Sequence, residues 1–376
     1  MTKHLKVKRN ILLNPGPATT TDSVKMALVK PDICPREKEF SKVVHEVVEK
    51  LTKIAGGNKN YKTVLLGGSG TSGMDCCVNS VVPPGKKIAV INNGAYGNRL
   101  VEIAKSYGIE VVEIKSSNSQ DLDLGQVETI LKNEPNVAVL AFVHHETTTG
   151  LLNPLEKTVK LAKKHNCVVI VDAISSFAGI PINVAKNDID FLISTSNKCI
   201  QGMAGVAFIV AKESELGKLK NYPPRSYYLN LYKHYDNFYR TGETPFTPPV
   251  QIIYALLQAI KELEKEGGVK KRQARYKRNW DTLHEGLKKI GFNFLLKTDK
   301  QSRILLTIIE PENKNYSFQT MHDKLFKKGF TIYPGKVGEQ KTFRLAIMGD
   351  LDTSDIKNFL KELRIVLTNM KVLLIK

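Results

Sequence analysis

The chain has 376 residues, 42% apolar and 25% charged, with 56 Lys and Arg against 37 Asp and Glu, a formal net charge of +19. That length can bury a sizeable core without disulfide or metal staples, and no run approaches the roughly 18 apolar residues a membrane-crossing helix needs. The charge excess fits a nucleic-acid binder, a membrane-surface protein, or an enzyme with Lys-rich surfaces that handles anionic ligands. Along the chain, the basic start from Met1 is followed by Ile11-Leu12-Leu13, which Asn14-Pro15-Gly16-Pro17 breaks at once, so no signal-peptide core is expected. From residue 60 onward, short β-branched runs alternate with amphipathic stretches. Thr63–Leu66, Ile88–Ile91, Ile109–Ile114, Val137–Val143, Val168–Asp172, Asp190–Ser194 and Val206–Val210 read as strands, several apolar throughout, as in strands covered on both faces. Asn153 is the expected N-cap of a helix with Pro154 at its first position. This alternation predicts an α/β fold with a mostly parallel seven-stranded sheet covered by helices.

Residues 221–249 read as a loop, with prolines at 223, 224, 245, 248 and 249. Beyond it come two long helices separated by Gly267-Gly268, a strand near 304–308 and a helix near 318–328. A strand pair at 330–333 and 342–346 and a closing helix from Thr353 complete the pattern. The division expected is a large domain over 1–250 and a smaller α+β domain over 251–376, with residues 1–20 packing on the smaller one. The five cysteines, Cys34, Cys76, Cys77, Cys167 and Cys199, form no Cys-x-x-Cys. Neither a disulfide framework nor a thiolate zinc site is indicated, and a reducing cytoplasm is the simplest compartment.

Three motifs bear on chemistry. Gly67-Gly68-Ser69-Gly70-Thr71-Ser72-Gly73 follows a strand and opens a helix, where backbone N–H groups and the helix dipole favour a phosphate. It contains G-x-G-x-x-G, but the next strand ends in Asn92-Asn93-Gly94 instead of the ribose-binding acid of dinucleotide folds, and no Gly-Lys-Ser/Thr follows. His144-His145-Glu146 contains the H-x-E of zinc deaminases without their P-C-x-x-C, so no metal is expected and polar residues at a sheet rim are the plainer reading. Asp172 ends one buried strand and Lys198 follows another after a short turn, which places both at the carboxyl edge where open α/β folds bind ligands. A carboxylate, a lysine and a phosphate loop on one edge match the needs of pyridoxal phosphate, although a structural Asp–Lys ion pair remains the alternative.

Asn14-Pro15-Gly16-Pro17, Gly68-Ser69-Gly70, Asn93-Gly94-Ala95-Tyr96-Gly97, Glu146-Thr147-Thr148-Thr149-Gly150, Val171-Asp172-Ala173-Ile174-Ser175-Ser176, Ser196-Asn197-Lys198-Cys199-Ile200-Gln201-Gly202, Tyr333-Pro334-Gly335-Lys336 and Phe343-Arg344 occur in this order. With them the chain resembles the 2-aminoethylphosphonate:pyruvate aminotransferases, a branch of the fold-type I pyridoxal-phosphate enzymes, over nearly its whole length. The resemblance implies that Lys198 forms the Schiff base and shuttles the proton, while Asp172 keeps the pyridine nitrogen protonated. Ser69, Gly70 and Thr71 would bind the cofactor phosphate, joined by Thr247 across a homodimer interface. Tyr96 would stack on the ring, Thr148 would contact its polar edge, and Arg344 would clamp the substrate phosphonate or carboxylate. Two segments depart from the family pattern, Asp32–Phe40, which includes Arg36, and Phe343–Gly349; both bear on substrate and direction.

The activity this implies is amino transfer between 2-aminoethylphosphonate and pyruvate, giving phosphonoacetaldehyde and alanine, or the reverse. An alanine- or serine-dependent glyoxylate or pyruvate aminotransferase would share every cofactor residue. A basic nucleic-acid-binding protein is the rival of another class, resting on the run Lys270–Arg278 with six cations and no acid. The bland reading of that run is a solvated helix face on which Lys271, Arg275 and Arg278 lie together. Small-molecule substrates, and neither nucleic acid nor membrane, are the partners expected.

Overall fold

The apolar runs build one central sheet. The computed structural model describes residues 7–372. Its strands are β1 (Ile11–Leu12), β2 (Tyr61–Gly68), β3 (Lys87–Asn92), β4 (Val111–Lys115), β5 (Val137–Val143), β6 (His145–Glu146), β7 (Leu151–Leu152), β8 (Val168–Asp172), β9 (Phe191–Thr195), β10 (Gly205–Lys212), β11 (Leu305–Ile309), β12 (Phe330–Thr331), β13 (Tyr333–Val337) and β14 (Gln340–Ala346). Seven of them form the main sheet in the order β2-β10-β9-β8-β5-β3-β4. β10 runs antiparallel to both neighbours, and the remaining pairs are parallel. The period of two appears directly in β8. Val169 and Val171 join one apolar cluster with Phe40 and Leu51, while Ile170 joins another with Met74 and Leu100 on the opposite face. Each such side chain contributes about 1.5–3 kcal/mol relative to exposure.

Three local expectations are corrected. Leu231–Thr241, inside the stretch expected to be loop, is a helix whose N-cap Asn230 accepts from the Lys233 N–H. The prolines flank this segment on both sides without entering it, and so do not break it. Pro154, not Asn153, caps the helix Leu155–Lys164; the buried Asn153 amide instead donates to the Val143 carbonyl at 2.7 Å and pairs with Asn93. Phe330–Thr331 pairs in parallel with Ile11–Leu12 rather than with 342–346; β14 lies between β11 and β13, and of the expected 330–333 segment only Tyr333 pairs with it, opposite Arg344.

A separate apolar cluster surrounds Tyr276, Trp280, Leu305, Phe343 and Phe359, and it includes Ile11, Leu13 and Ala18 from the start of the chain. Residues 1–6 of the expected 1–20 segment lie outside the described residues. The helix Val250–Glu266 buries Ile253, Leu256, Ile260 and Leu263 with the first cluster. Beyond Gly267-Gly268, where both residues have positive φ (99° and 79°), the next helix buries Tyr276, Trp280 and Leu283 with the second cluster.

Candidate active site

Asp172 ends β8, and Lys198 follows β9 after the residues Ser196-Asn197, so both stand at the carboxyl edge of the main sheet. Asp172 is 2% exposed, and among the described residues its carboxylate accepts a single hydrogen bond, from the Ile174 N–H to Oδ1 at 2.8 Å. Burial raises its carboxyl pKa to about 7, against the opposing effects of that hydrogen bond, Lys198 and Arg99. Burial also lowers the Lys198 ammonium to about 8, with Arg344 and Arg99 acting in the same direction. Lys198 Nζ donates to the Pro15 carbonyl. Gly16 has φ +117°, and a Cβ there would lie 2.5 Å from Nζ, so glycine is required both by the backbone and by the lysine.

The glycine-rich turn opens the helix Gly70–Val81 with exposed Ser69 as its N-cap, its side chain making no cap hydrogen bond. Thr71 Oγ1 accepts from Arg99 Nη1 at 3.0 Å, and the Arg99 guanidinium lies 4.8 Å from the Tyr96 ring centroid. Arg99 thus joins the anion loop to the aromatic ring. It was not among the expected residues, although its spacing from Tyr96, one turn along the helix Ala95–Ser106, puts both on one face.

Glu146 is fully buried and is held by the Tyr96 N–H (3.2 Å), the Thr148 N–H (3.0 Å) and the Thr148 hydroxyl (2.6 Å). Thr148 Oγ1 in turn accepts from the Ala95 N–H. His144 and His145 are also buried, which lowers their pKa values to about 3 and about 4 and keeps both rings neutral. His144 Nδ1 bonds with Ser176 Oγ, while His145 Nε2 has no partner among the described residues. These residues form the interior wall of the site and not a sheet rim.

Arg344 enters from the other core. It lies on β14 between Thr307 of β11 and Tyr333 of β13. Its Nη1 donates to the Thr147 carbonyl at 3.0 Å and Nη2 to the Pro334 carbonyl at 3.2 Å, with the Tyr333 ring centroid 4.8 Å from the guanidinium. Arg344 Nε and Thr147 Oγ1 are buried without partners among the described residues. Thr247 is exposed beyond the helix Leu231–Thr241, and among the described residues it makes no hydrogen bond to Ser69, Gly70 or Thr71. The structure therefore brings Lys198, Asp172, Tyr96, Thr148 and Arg344 around one cleft edge with Thr71, and leaves Thr247 on the surface.

The pattern of the aminotransferase class-V family matches residues 25–341. The chain is 40% identical over 352 residues to a 2-aminoethylphosphonate--pyruvate transaminase of Vibrio vulnificus strain YJ016, covering 93% of this chain and 95% of that protein. It is 41% identical over 348 residues to a 2-aminoethylphosphonate--pyruvate transaminase of Bacillus thuringiensis strain Al Hakam, covering 92% and 94%. Among solved structures, an alanine--glyoxylate aminotransferase from Nostoc sp. superposes with a TM-score of 0.88 at 25% identity, covering 98% of this chain and 97% of that one.

Proposed function

This chain belongs to the class-V aminotransferase family, and on that premise we propose that it moves the amino group of 2-aminoethylphosphonate to pyruvate, giving phosphonoacetaldehyde and L-alanine, or the reverse. The observation that carries this reading is the meeting of Lys198 and Asp172 with Arg344, a bidentate anion donor supplied by the second core. Curated relatives of that activity at 40% identity over nearly the full length support it further.

The cofactor is pyridoxal phosphate, and the residues present fit it. The Asp172 carboxylate accepts one hydrogen bond only, His145 Nε2 and Thr147 Oγ1 are buried without partners among the described residues, and the Ser69–Thr71 turn, with Ser69 exposed, presents a helix N-terminus. Bound there, it supplies an electron sink for charge developing at the substrate carbon. Asp172 would hold the proton of the ring nitrogen. Such a cation beside it favours the ionised carboxylate and reverses the upward shift that burial alone causes. Ser69, Gly70 and Thr71 would bind the phosphate, Tyr96 would cover the ring, and Thr148 would meet its polar edge.

Lys198 Nζ would bind the cofactor covalently and, when displaced by the substrate amine, carry the proton to and from the substrate carbon. A pKa near 8 suits this, because an amine must be partly deprotonated to accept a proton. Arg344 would orient the substrate's phosphonate or carboxylate. Its two carbonyl partners fix the guanidinium plane, and its buried Nε, without a partner among the described residues, remains available to an anion.

We take the working form to be a cytoplasmic homodimer in which Thr247 of one protomer reaches the phosphate loop of the other. Support comes from the exposure of Thr247 and of the neighbouring Tyr227 and Tyr228, which gather around Phe246 with ring centroids 5.8 and 4.9 Å away. Five unpaired cysteines suit a reducing compartment. Among the described residues, no helix is long and apolar enough to cross a membrane.

A donor screen tests the activity. Single amino donors are added to the cofactor-loaded protein and loss of the bound aldehyde's absorbance is followed. Rapid conversion by 2-aminoethylphosphonate and by L-alanine is expected. Conversion by L-serine with none by 2-aminoethylphosphonate would overturn the phosphonate reading in favour of a carboxylate-specific aminotransferase.

A further inference from the structure

The basic run Lys270–Arg278 was expected to be a solvated helix face, yet two of its arginines point inward. Arg272 is 1% exposed, and Arg275 is largely enclosed. Both are held by one carboxylate. Glu266 Oε2 accepts from Arg272 Nε at 2.8 Å and from Arg275 Nη2 at 3.1 Å, and Oε1 accepts from Arg275 Nε at 2.8 Å. Glu266 is the last residue of the helix Val250–Glu266, and the arginines belong to the helix Val269–Ile290 beyond the Gly267-Gly268 turn.

The two guanidiniums serve different segments. Arg272 Nη1 donates to the Cys199 carbonyl (2.9 Å) and the Ile200 carbonyl (3.3 Å), the two residues directly after Lys198. That turn needs holding, because Gln201 has φ +67°, a region that non-glycine residues rarely adopt. The Gln201 amide nitrogen is itself fixed by the Tyr276 hydroxyl and the Gly349 carbonyl, both at 2.7 Å. Arg275 Nη1 donates to the carbonyls of Gly349 (2.9 Å) and Leu351 (2.8 Å), in the segment that follows the strand carrying Arg344. One carboxylate therefore fixes the backbone beside the lysine and the backbone beyond the substrate arginine.

We infer that Glu266, Arg272 and Arg275 are positioning residues that set Lys198 against Arg344 across the two cores. The inference rests on the transaminase reading of the site. Arg272 acts on the lysine side and Arg275 on the anion side, so their loss separates in the kinetics. Displacing a reacting group by a fraction of an ångström lowers the chemical step, whereas displacing an anion clamp weakens substrate capture.

The test uses the cofactor-loaded full chain with Arg272→Gln, Arg275→Gln and Glu266→Gln, assayed with 2-aminoethylphosphonate and pyruvate. Cofactor affinity is measured separately by spectral titration of the cofactor-free protein. For Arg272→Gln a fall of about tenfold in kcat is expected, with weaker cofactor retention and KM nearly unchanged. Arg275→Gln should raise KM for the phosphonate by about tenfold with kcat and cofactor affinity nearly unchanged, and Glu266→Gln should show both effects. Arg272→Lys and Arg275→Lys carry the same comparison if a glutamine variant does not fold, each expected to show a weaker form of its own effect. Active variants whose kcat and KM match the parent, or all change in one common proportion, would overturn the inference. A parent protein that binds the cofactor but transaminates no phosphonate would instead overturn the reading on which it rests.

Discussion

Arg344 and Thr147 are joined across the cleft by a 3.0 Å hydrogen bond from Nη1 to the threonine carbonyl. The arginine of one core is thereby fixed to the wall that also contains Glu146 and Thr148. Arg344→Lys keeps the charge but loses the planar fork, so kcat/KM for 2-aminoethylphosphonate is expected to fall about 10- to 100-fold, or about 1.4–3 kcal/mol. Cofactor titration of the same variant should match the parent. Unchanged kcat/KM would show that the anion is held elsewhere.

Lys198→Ala is expected to abolish turnover and to remove the covalent cofactor band while the protein stays folded. The buried lysine also predicts a pH dependence of loading. Only the neutral amine attacks an aldehyde, so the rate at which pyridoxal phosphate attaches to the cofactor-free protein should rise with pH and level off above about 8. A rate that is flat between pH 6 and pH 9, as stopped-flow absorbance would read it, contradicts this.

Asp172 predicts a stability effect of definite sign. Its pKa is raised from 3.8 to about 7 in the folded, cofactor-free chain. Between those values the folded state holds the proton and the unfolded state does not, so stability falls as pH rises through that window and is level above it. Cofactor-free Asp172→Asn is therefore expected to melt higher than the parent, by a larger margin at pH 8 than at pH 5. An equal margin at both would mean that the carboxyl is already ionised when folded.

Gly16→Ala places a methyl group against Lys198 Nζ and forces alanine to φ +117°. The expected cost in stability is about 1 kcal/mol or more, with a larger loss of turnover because the lysine must move. Thermal melting beside steady-state rates separates the two effects. Parent-like turnover in this variant would show that the close approach is relieved without cost.

Arg99→Gln removes the link between Thr71 and Tyr96. Cofactor affinity should weaken about tenfold, as expected when a charge-assisted hydrogen bond and a cation–π contact are both lost. Equilibrium dialysis gives the value directly. Retention equal to the parent would confine Arg99 to the surface.

The two central residues could be read from the chain because each ends or closely follows a buried strand, and strand ends in an α/β sheet collect on one edge. Arg344 was found only through a resemblance, since a lone arginine on a strand carries no mark of its own. The burial of Arg272 had no local signal at all. It depends on Glu266 in the preceding helix and on a glycine pair with left-handed φ, so a run of cations taken alone looks like solvated surface. The helix Leu231–Thr241 was hidden for another reason. Prolines on both sides drew attention to the breaks and away from the unbroken eleven residues between them. The pairing of Ile11–Leu12 with Phe330–Thr331 is two residues long and spans most of the sequence, which no window-based periodicity can detect.

That last pairing sets an order of events during synthesis. Ile11 and Leu12 leave the ribosome long before their partners Phe330 and Thr331, and the Ala346 N–H that donates to the Leu13 carbonyl comes later still. Closing so long a loop is entropically unfavourable until the rest of the sheet and its helices have formed. The strand that leads into the Pro15 carbonyl, which receives Lys198 Nζ, can therefore complete its pairing only after the main sheet has been synthesised. A nascent chain can thus synthesise all seven strands of its main sheet, the last of them ending at Lys212, before the strand leading to Pro15 meets its partner at 330–331.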